Sequence, residues 1–119
     1  MNGSVMEKKI GIFTLTGKNF RKRVLESPLP FLVEIRADWS GSCDIMAPLM
    51  ERLATEYAGR IHFGRLDIDA NKEIAREFGV TELPFLLFFR DGKLVDFIIG
   101  TTSRKTLEDR IKKILKPES

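Results

Sequence analysis

The side chains best equipped for chemistry cluster in Trp39-Ser40-Gly41-Ser42-Cys43, with Glu34 a few residues upstream in an apolar run. Cys43 is the single cysteine and His62 the single histidine. The chain therefore cannot close an internal disulfide or build a cysteine zinc cluster, and no metal or cofactor is expected. A lone thiol can attack an electrophile or form mixed disulfides, but only in exposed, electropositive surroundings. Asp44 and Glu34 both oppose a thiolate, so Cys43 also reads as a small buried residue that packs as a weak hydrophobe. Ser40 would need a neighbouring general base to become a nucleophile, and no histidine is close in sequence. At the start of a helix its hydroxyl fits a cap better, a role worth about 1 kcal/mol over alanine. Glu34 carries the desolvation cost of a carboxylate in an apolar strand and should be partly neutralised there.

The surrounding pattern supplies the elements that must hold these residues. Ile10 to Leu15 alternates as a strand, and a short helix follows from Gly17 through Phe20 and Val24 to Glu26. Pro28 and Pro30 end it. Phe31 to Ile35 is a strand, and Met46, Leu49, Met50, Leu53 and Tyr57 mark a long helix stopped by Gly59. Ile61 to Leu66 is a third strand, and a short helix with Ile74 and Phe78 ends at Gly79. Phe85 to Phe89 reads as a strand buried on both faces. Asp91-Gly92 suits a type I′ turn back into Leu94 to Ile99, and Ser103 can cap a last helix carrying Leu107, Ile111 and Ile114. The order βαβαβαββα implies an α/β fold, a mixed sheet flanked by helices with an antiparallel closing hairpin.

All 119 residues read as one domain, 1–119, with its core over about residues 10–115. The net charge of +3 is interleaved, and Arg21-Lys22-Arg23 and Lys112-Lys113 are too short for a nucleic-acid stripe. No apolar run reaches the roughly 20 residues of a membrane span. Met1 to Lys9 lacks the apolar stretch of a secretory leader, which makes a cytoplasmic location the default. His62 is expected to face solvent on its strand.

The stretch from Phe31 to Pro48 resembles the active-site segment of thioredoxins. Glu34 matches the family's buried acid, Trp39 its tryptophan, Gly41 its glycine, Cys43 its second cysteine and Pro48 its helix proline. Arg65-Leu66-Asp67-Ile68-Asp69 is similar to the family's third strand and its exit. Val80-Thr81-Glu82-Leu83-Pro84 is similar to the loop carrying its cis-proline, and Asp91-Gly92 and Gly100 match further glycine positions. The resemblance implies the thioredoxin fold, a cis Leu83–Pro84 bond, and disulfide-exchange chemistry serving redox homeostasis. In that chemistry a first thiol attacks as a thiolate and a second resolves the mixed disulfide. Here Ser40 stands at the attacking position, Ser42 replaces the usual proline, and Cys43 alone remains.

By the same resemblance Arg65 occupies the position of a lysine near the acid. A Glu34–Arg65 ion pair beneath Cys43 is expected, with the guanidinium tending to keep Glu34 charged. Trp39, Gly41, Ile68, Leu83, Pro84, Ile99 and Gly100 are the expected groove for protein or peptide clients, with a reductase-like electron donor as a second partner. Three readings follow. The chain is a disulfide-exchange protein impaired at Ser40, whether degenerate or with serine in place of a cysteine or selenocysteine. Alternatively it is a non-catalytic peptide-binding module, or a single-thiol protein that forms mixed disulfides through Cys43.

Overall fold

The structure, a computed structural model, describes residues 11–117. Ile10 and the Met1 to Lys9 segment lie outside that range, so the expected start of the first strand and the leader reading fall beyond the described residues. Strand β1 is Ile12–Leu15, β2 Phe31–Arg36, β3 His62–Asp67, β4 Phe85–Arg90 and β5 Lys93–Ile99. Helices are α1, Gly41–Glu56, α2, Lys72–Glu77, and α3, Arg104–Leu115. They form a five-stranded sheet in the order β1-β3-β2-β4-β5. The β1, β3 and β2 neighbours run parallel, and β4 and β5 run antiparallel to their neighbours. This is the mixed sheet with flanking helices that the element order implies.

The alternation of β2 divides the core. Leu32 points to one face, where Met46, Met50 and Leu53 of α1 meet Leu107, Ile111 and Ile114 of α3. Phe31, Val33 and Ile35 point to the other, against Phe20, Val24 and Phe85. Glu34 shares the face of Leu32 and so lies on the side covered by α1. Gly64, at the centre of β3, leaves room for that packing: a Cβ there would sit 2.5 Å from Leu15 Cδ1 and 2.8 Å from Phe31 Cε1. Gly64→Ala would have to push two core side chains apart.

The expected helix from Gly17 to Glu26 takes a different form. Thr16 and Asn19 make reciprocal side-chain bonds that close a turn ahead of it. The chain then forms a single π-helical turn, Arg21–Leu25, closed by the Glu26 amide donating to the Arg21 carbonyl at 3.0 Å. Phe20 and Val24 are buried by this wider turn.

His62 also departs from expectation. Its register partner is Phe31 on β2, and its ring lies 5.7 Å from that of Phe31 and 5.3 Å from that of Phe13. Burial, and secondarily Arg23, lowers its pKa. The pH consequence has a definite sign. The unfolded imidazole binds a proton near pH 6.5 while the native ring resists it, so the stability it contributes is present above that pH and lost as pH falls through the lower native value. Denaturant unfolding at pH 8, 6 and 5 should show His62→Phe losing less stability than the unmodified chain on acidification. Identical pH slopes would contradict the packing described.

Among the described residues no helix is long and apolar enough to cross a membrane.

Candidate functional site

The site lies where β2 ends and α1 begins. Ser40, extended at φ −91° and ψ 116°, is the N-cap of α1, and its Oγ accepts the Cys43 amide at 3.2 Å. That bond satisfies one of the amides left free at a helix start. Ser40 is 8% exposed and Cys43 wholly buried. Trp39, by contrast, is 70% exposed, and its indole Nε1 donates to Asp69 Oδ2 at 2.8 Å. The indole is thus tethered to the loop after β3 with its faces free.

Trp39, Ser40, Ile68 and Leu83 line one cleft of about 330 Å³, joined by Val80, Thr81 and Glu82. Pro84 is buried behind Leu83; the bond between them is cis, and the Pro84 carbonyl accepts the Gly100 amide at 2.8 Å. Of the expected groove residues, Gly41, Pro84, Ile99 and Gly100 do not line this cleft. Gly41 is exposed on the first turn of α1, and Ile99 is exposed at the end of β5. Val80 to Glu82 take their places on the wall. They were legible only as the approach to Pro84, because a loop wall carries no periodic signal.

The sheet face under α1 carries an ion pair that α1 joins from above. Glu34 is fully buried, and Arg65, its register partner on β3, places Nε 3.4 Å from Glu34 Oε1. Arg65 also reaches Glu51 of α1 at 3.3 Å. The ion pair forms, yet Glu34's pKa is raised: burial outweighs the attraction of Arg65 and, less strongly, of Arg36. Arg65 acts in the expected direction, favouring the charged form, but burial acts against it more strongly. The guanidinium is shared with Glu51, the contact is long, and Glu34 Oε2 has no hydrogen-bond partner among the described residues.

Arg36 is a site residue the sequence reading misses. Its guanidinium, only 14% exposed, pairs with Asp38 at 2.9 Å and Asp44 at 3.7 Å, fastening the loop and the first turn of α1 to the sheet. Burial lowers its pKa, but the Asp38 hydrogen bond and the neighbouring carboxylates of Glu34 and Asp38 outweigh that and raise it. A charge two residues beyond Glu34 on the same strand face was the available signal.

Among the described residues no base accepts a hydrogen bond from Ser40 Oγ, whose one side-chain bond is to the Cys43 amide. His62 pairs with the opposite end of β2 from Arg36, about 15 Å away at strand rise. A second cleft, of about 500 Å³ and lined by Phe13, Lys22, Arg23 and His62, sits at that far end without a thiol. Among the described residues no group of three or more His, Cys, Asp or Glu converges as metal ligands would.

Comparison with known proteins matches residues 11–113 to the thioredoxin family model. Thioredoxin 1 of Nostoc sp. is 33% identical over 101 residues, covering 85% of this chain and 94% of that protein. The thioredoxin of Rickettsia felis is 34% identical over 99 residues, 83% and 94% respectively. The chloroplastic M-type thioredoxin of Spinacia oleracea is 37% identical over 99 residues, 83% of this chain and 55% of the longer protein. With the sheet order, the Trp39 to Cys43 helix start and the cleft beside Leu83 in place, these matches are decisive: the chain belongs to the thioredoxin family.

Proposed function

We propose that this chain is a single-domain thioredoxin-family protein that keeps the family's client groove while its own dithiol exchange is closed at residue 40. The observation that carries the reading is the Ser40 hydroxyl, set as the helix cap over Cys43 with no base hydrogen-bonded to it among the described residues. Exchange needs one sulfur to attack and another to resolve. Ser40, at the attacking position, supplies an oxygen that cannot form the mixed disulfide with a client, and Cys43, the remaining thiol, is buried. Membership of a thiol–disulfide oxidoreductase family supports protein clients and a reductase-type electron donor as partner classes. A single free thiol accords with a reducing, cytoplasmic setting. The test compares dithiol-driven reduction of a protein disulfide by the unmodified chain, by Ser40→Cys and by Cys43→Ala; turnover is expected only in the Ser40→Cys variant.

A second reading, binding without chemistry, is favoured by one observation. Trp39 is exposed, tethered through Asp69 and set on the wall of the 330 Å³ cleft. Aromatic side chains of this kind are common binding anchors. As the only tryptophan in the chain, Trp39 also reports on its own occupancy. An extended apolar peptide should shift its fluorescence, and Leu83→Asp should abolish the shift; an unchanged response in that variant would remove the cleft from the account.

A further inference from the structure

The cleft at the far end of β2 has an aromatic floor and a charged rim. The rings of Phe13 on β1 and His62 on β3 meet edge to face, centroids 5.3 Å apart, and both are half-buried. Phe31 of β2 completes the floor, its ring 5.7 Å from that of His62. The His62 imidazole has no hydrogen-bond partner among the described residues.

Lys18, Lys22 and Arg23 form the rim with Glu26 beside them, and all four are exposed. None of them makes an ion pair among the described residues. Lys22 and Glu26, four residues apart, would be neighbours on an α-helix. The π-helical turn bonds the Glu26 amide back to Arg21 instead, and the two charges stay unpaired. Arg23 is held in place by Phe13, its Cζ lying 4.4 Å from the ring centroid.

Elsewhere arginines are answered by carboxylates: Arg36 by Asp38, Arg65 by Glu51, Arg110 by Asp96. Here three cations share one carboxylate, which leaves an excess of two positive charges while His62 is neutral. A phosphate monoester carries about −1.5 to −2 near pH 7 and matches that excess. A carboxylate would leave part of it unmet, and the longer anionic tail of a triphosphate would run against Glu26. Lysine meets phosphate as a point charge and arginine through its N–H fork. A floor of aromatic rings beneath a guanidinium suits a flat ring in the ligand. The volume of about 500 Å³ is ordinary for a small-molecule site. We propose that this cleft binds a phosphate monoester with a flat aromatic body, the chemical class of a nucleoside monophosphate. The phosphate sits among Lys18, Lys22 and Arg23, and the ring packs on Phe13 and His62. One nucleotide fills the cleft, in keeping with a basic run too short to track a nucleic acid.

Calorimetric titration of the full chain with adenosine monophosphate, inorganic phosphate and adenosine separates the contributions. The nucleotide should bind about tenfold more tightly than inorganic phosphate, the share of stacking. It should also bind about tenfold more tightly than adenosine, the share of the cations. Lys22→Gln and Arg23→Gln should each weaken nucleotide binding about fivefold, and Glu26→Gln should tighten it. His62, the single histidine, reports from the floor: a bound dianion opposes Arg23 and favours the imidazolium, so saturation with the nucleotide should raise the pKa read from its proton resonance. Absence of nucleotide binding at millimolar concentration overturns the proposal. So does inorganic phosphate or adenosine binding as tightly as the nucleotide, a His62 titration that saturation leaves unmoved, or undiminished affinity in both glutamine variants. Should Arg23→Gln not fold, Lys22→Gln decides that arm. None of these outcomes depends on what residue 40 does.

Discussion

Ser40→Cys should form an internal disulfide with Cys43 and acquire protein-disulfide reductase activity. Residues 40 and 43 sit three apart at the start of α1, where neighbours on a helix face have Cβ atoms about 5–6 Å apart. A small backbone adjustment reaches disulfide geometry. The new thiol would lie at the helix N-terminus, where cysteine pKa values fall from about 8.5 toward about 7 in Cys-x-x-Cys sites. At pH 7 that raises the thiolate fraction about fifteenfold, while intrinsic nucleophilicity drops about fivefold. The net gain from acidity is only about threefold by this comparison. The larger gain comes from resolution: Cys43 attacks a mixed disulfide already held beside it, with the high effective concentration of an intramolecular step. Ser42 in place of proline should shift the potential without removing the activity. Mass spectrometry of the oxidised variant and dithiol-driven turnover check the two halves. A variant that closes its disulfide yet does not turn over would favour the binding-module reading.

Glu34→Leu should stabilise the protein by about 1 kcal/mol at pH 8, the low end of the gain when a whole buried ion pair gives way to apolar residues. Removing one partner of a buried pair ordinarily strands the other charge. Here Arg65 is partly exposed and keeps Glu51, while Arg36 keeps Asp38 and Asp44. What the change removes is a fully buried carboxylate with one oxygen unpartnered among the described residues. Its pKa is raised by burial, so native Glu34 holds its proton to higher pH than the unfolded side chain, which titrates near 4.5. The stability this linkage contributes is fully present below the unfolded value and lost as pH rises through the native one. The advantage of leucine should therefore be smallest near pH 4 and grow to a plateau above the native pKa. Denaturant midpoints across that range are the check. An advantage that does not grow with pH would mean that Arg65 keeps Glu34 charged after all.

The elements were legible where local chemistry and burial agree. Asp91 and Gly92 both take positive φ, 52° and 78°, as a two-residue primed turn requires. Ser103 caps α3 through the Thr106 amide as its position suggests. The continuous apolar run Phe85 to Phe89 is β4, buried throughout. Legibility failed where a side chain's fate depends on a distant strand. His62 looks solvent-facing until β1 and β2 bring Phe13 and Phe31 to its ring. Arg36 looks like the polar end of a strand until α1 returns Asp44 over it. The pairing of Glu34 with Arg65 could be read from parallel register, but not its division with Glu51, which requires α1 to cross that face.

The central claim is that the chain as it stands cannot run a two-sulfur cycle. Its most direct test is the rate at which the unmodified chain accelerates reduction of a protein disulfide by excess dithiol. The account predicts a rate no higher than dithiol alone, unchanged by Cys43→Ala. Acceleration that disappears in Cys43→Ala would show that the buried thiol reaches substrate unaided, and would contradict the role given to Ser40.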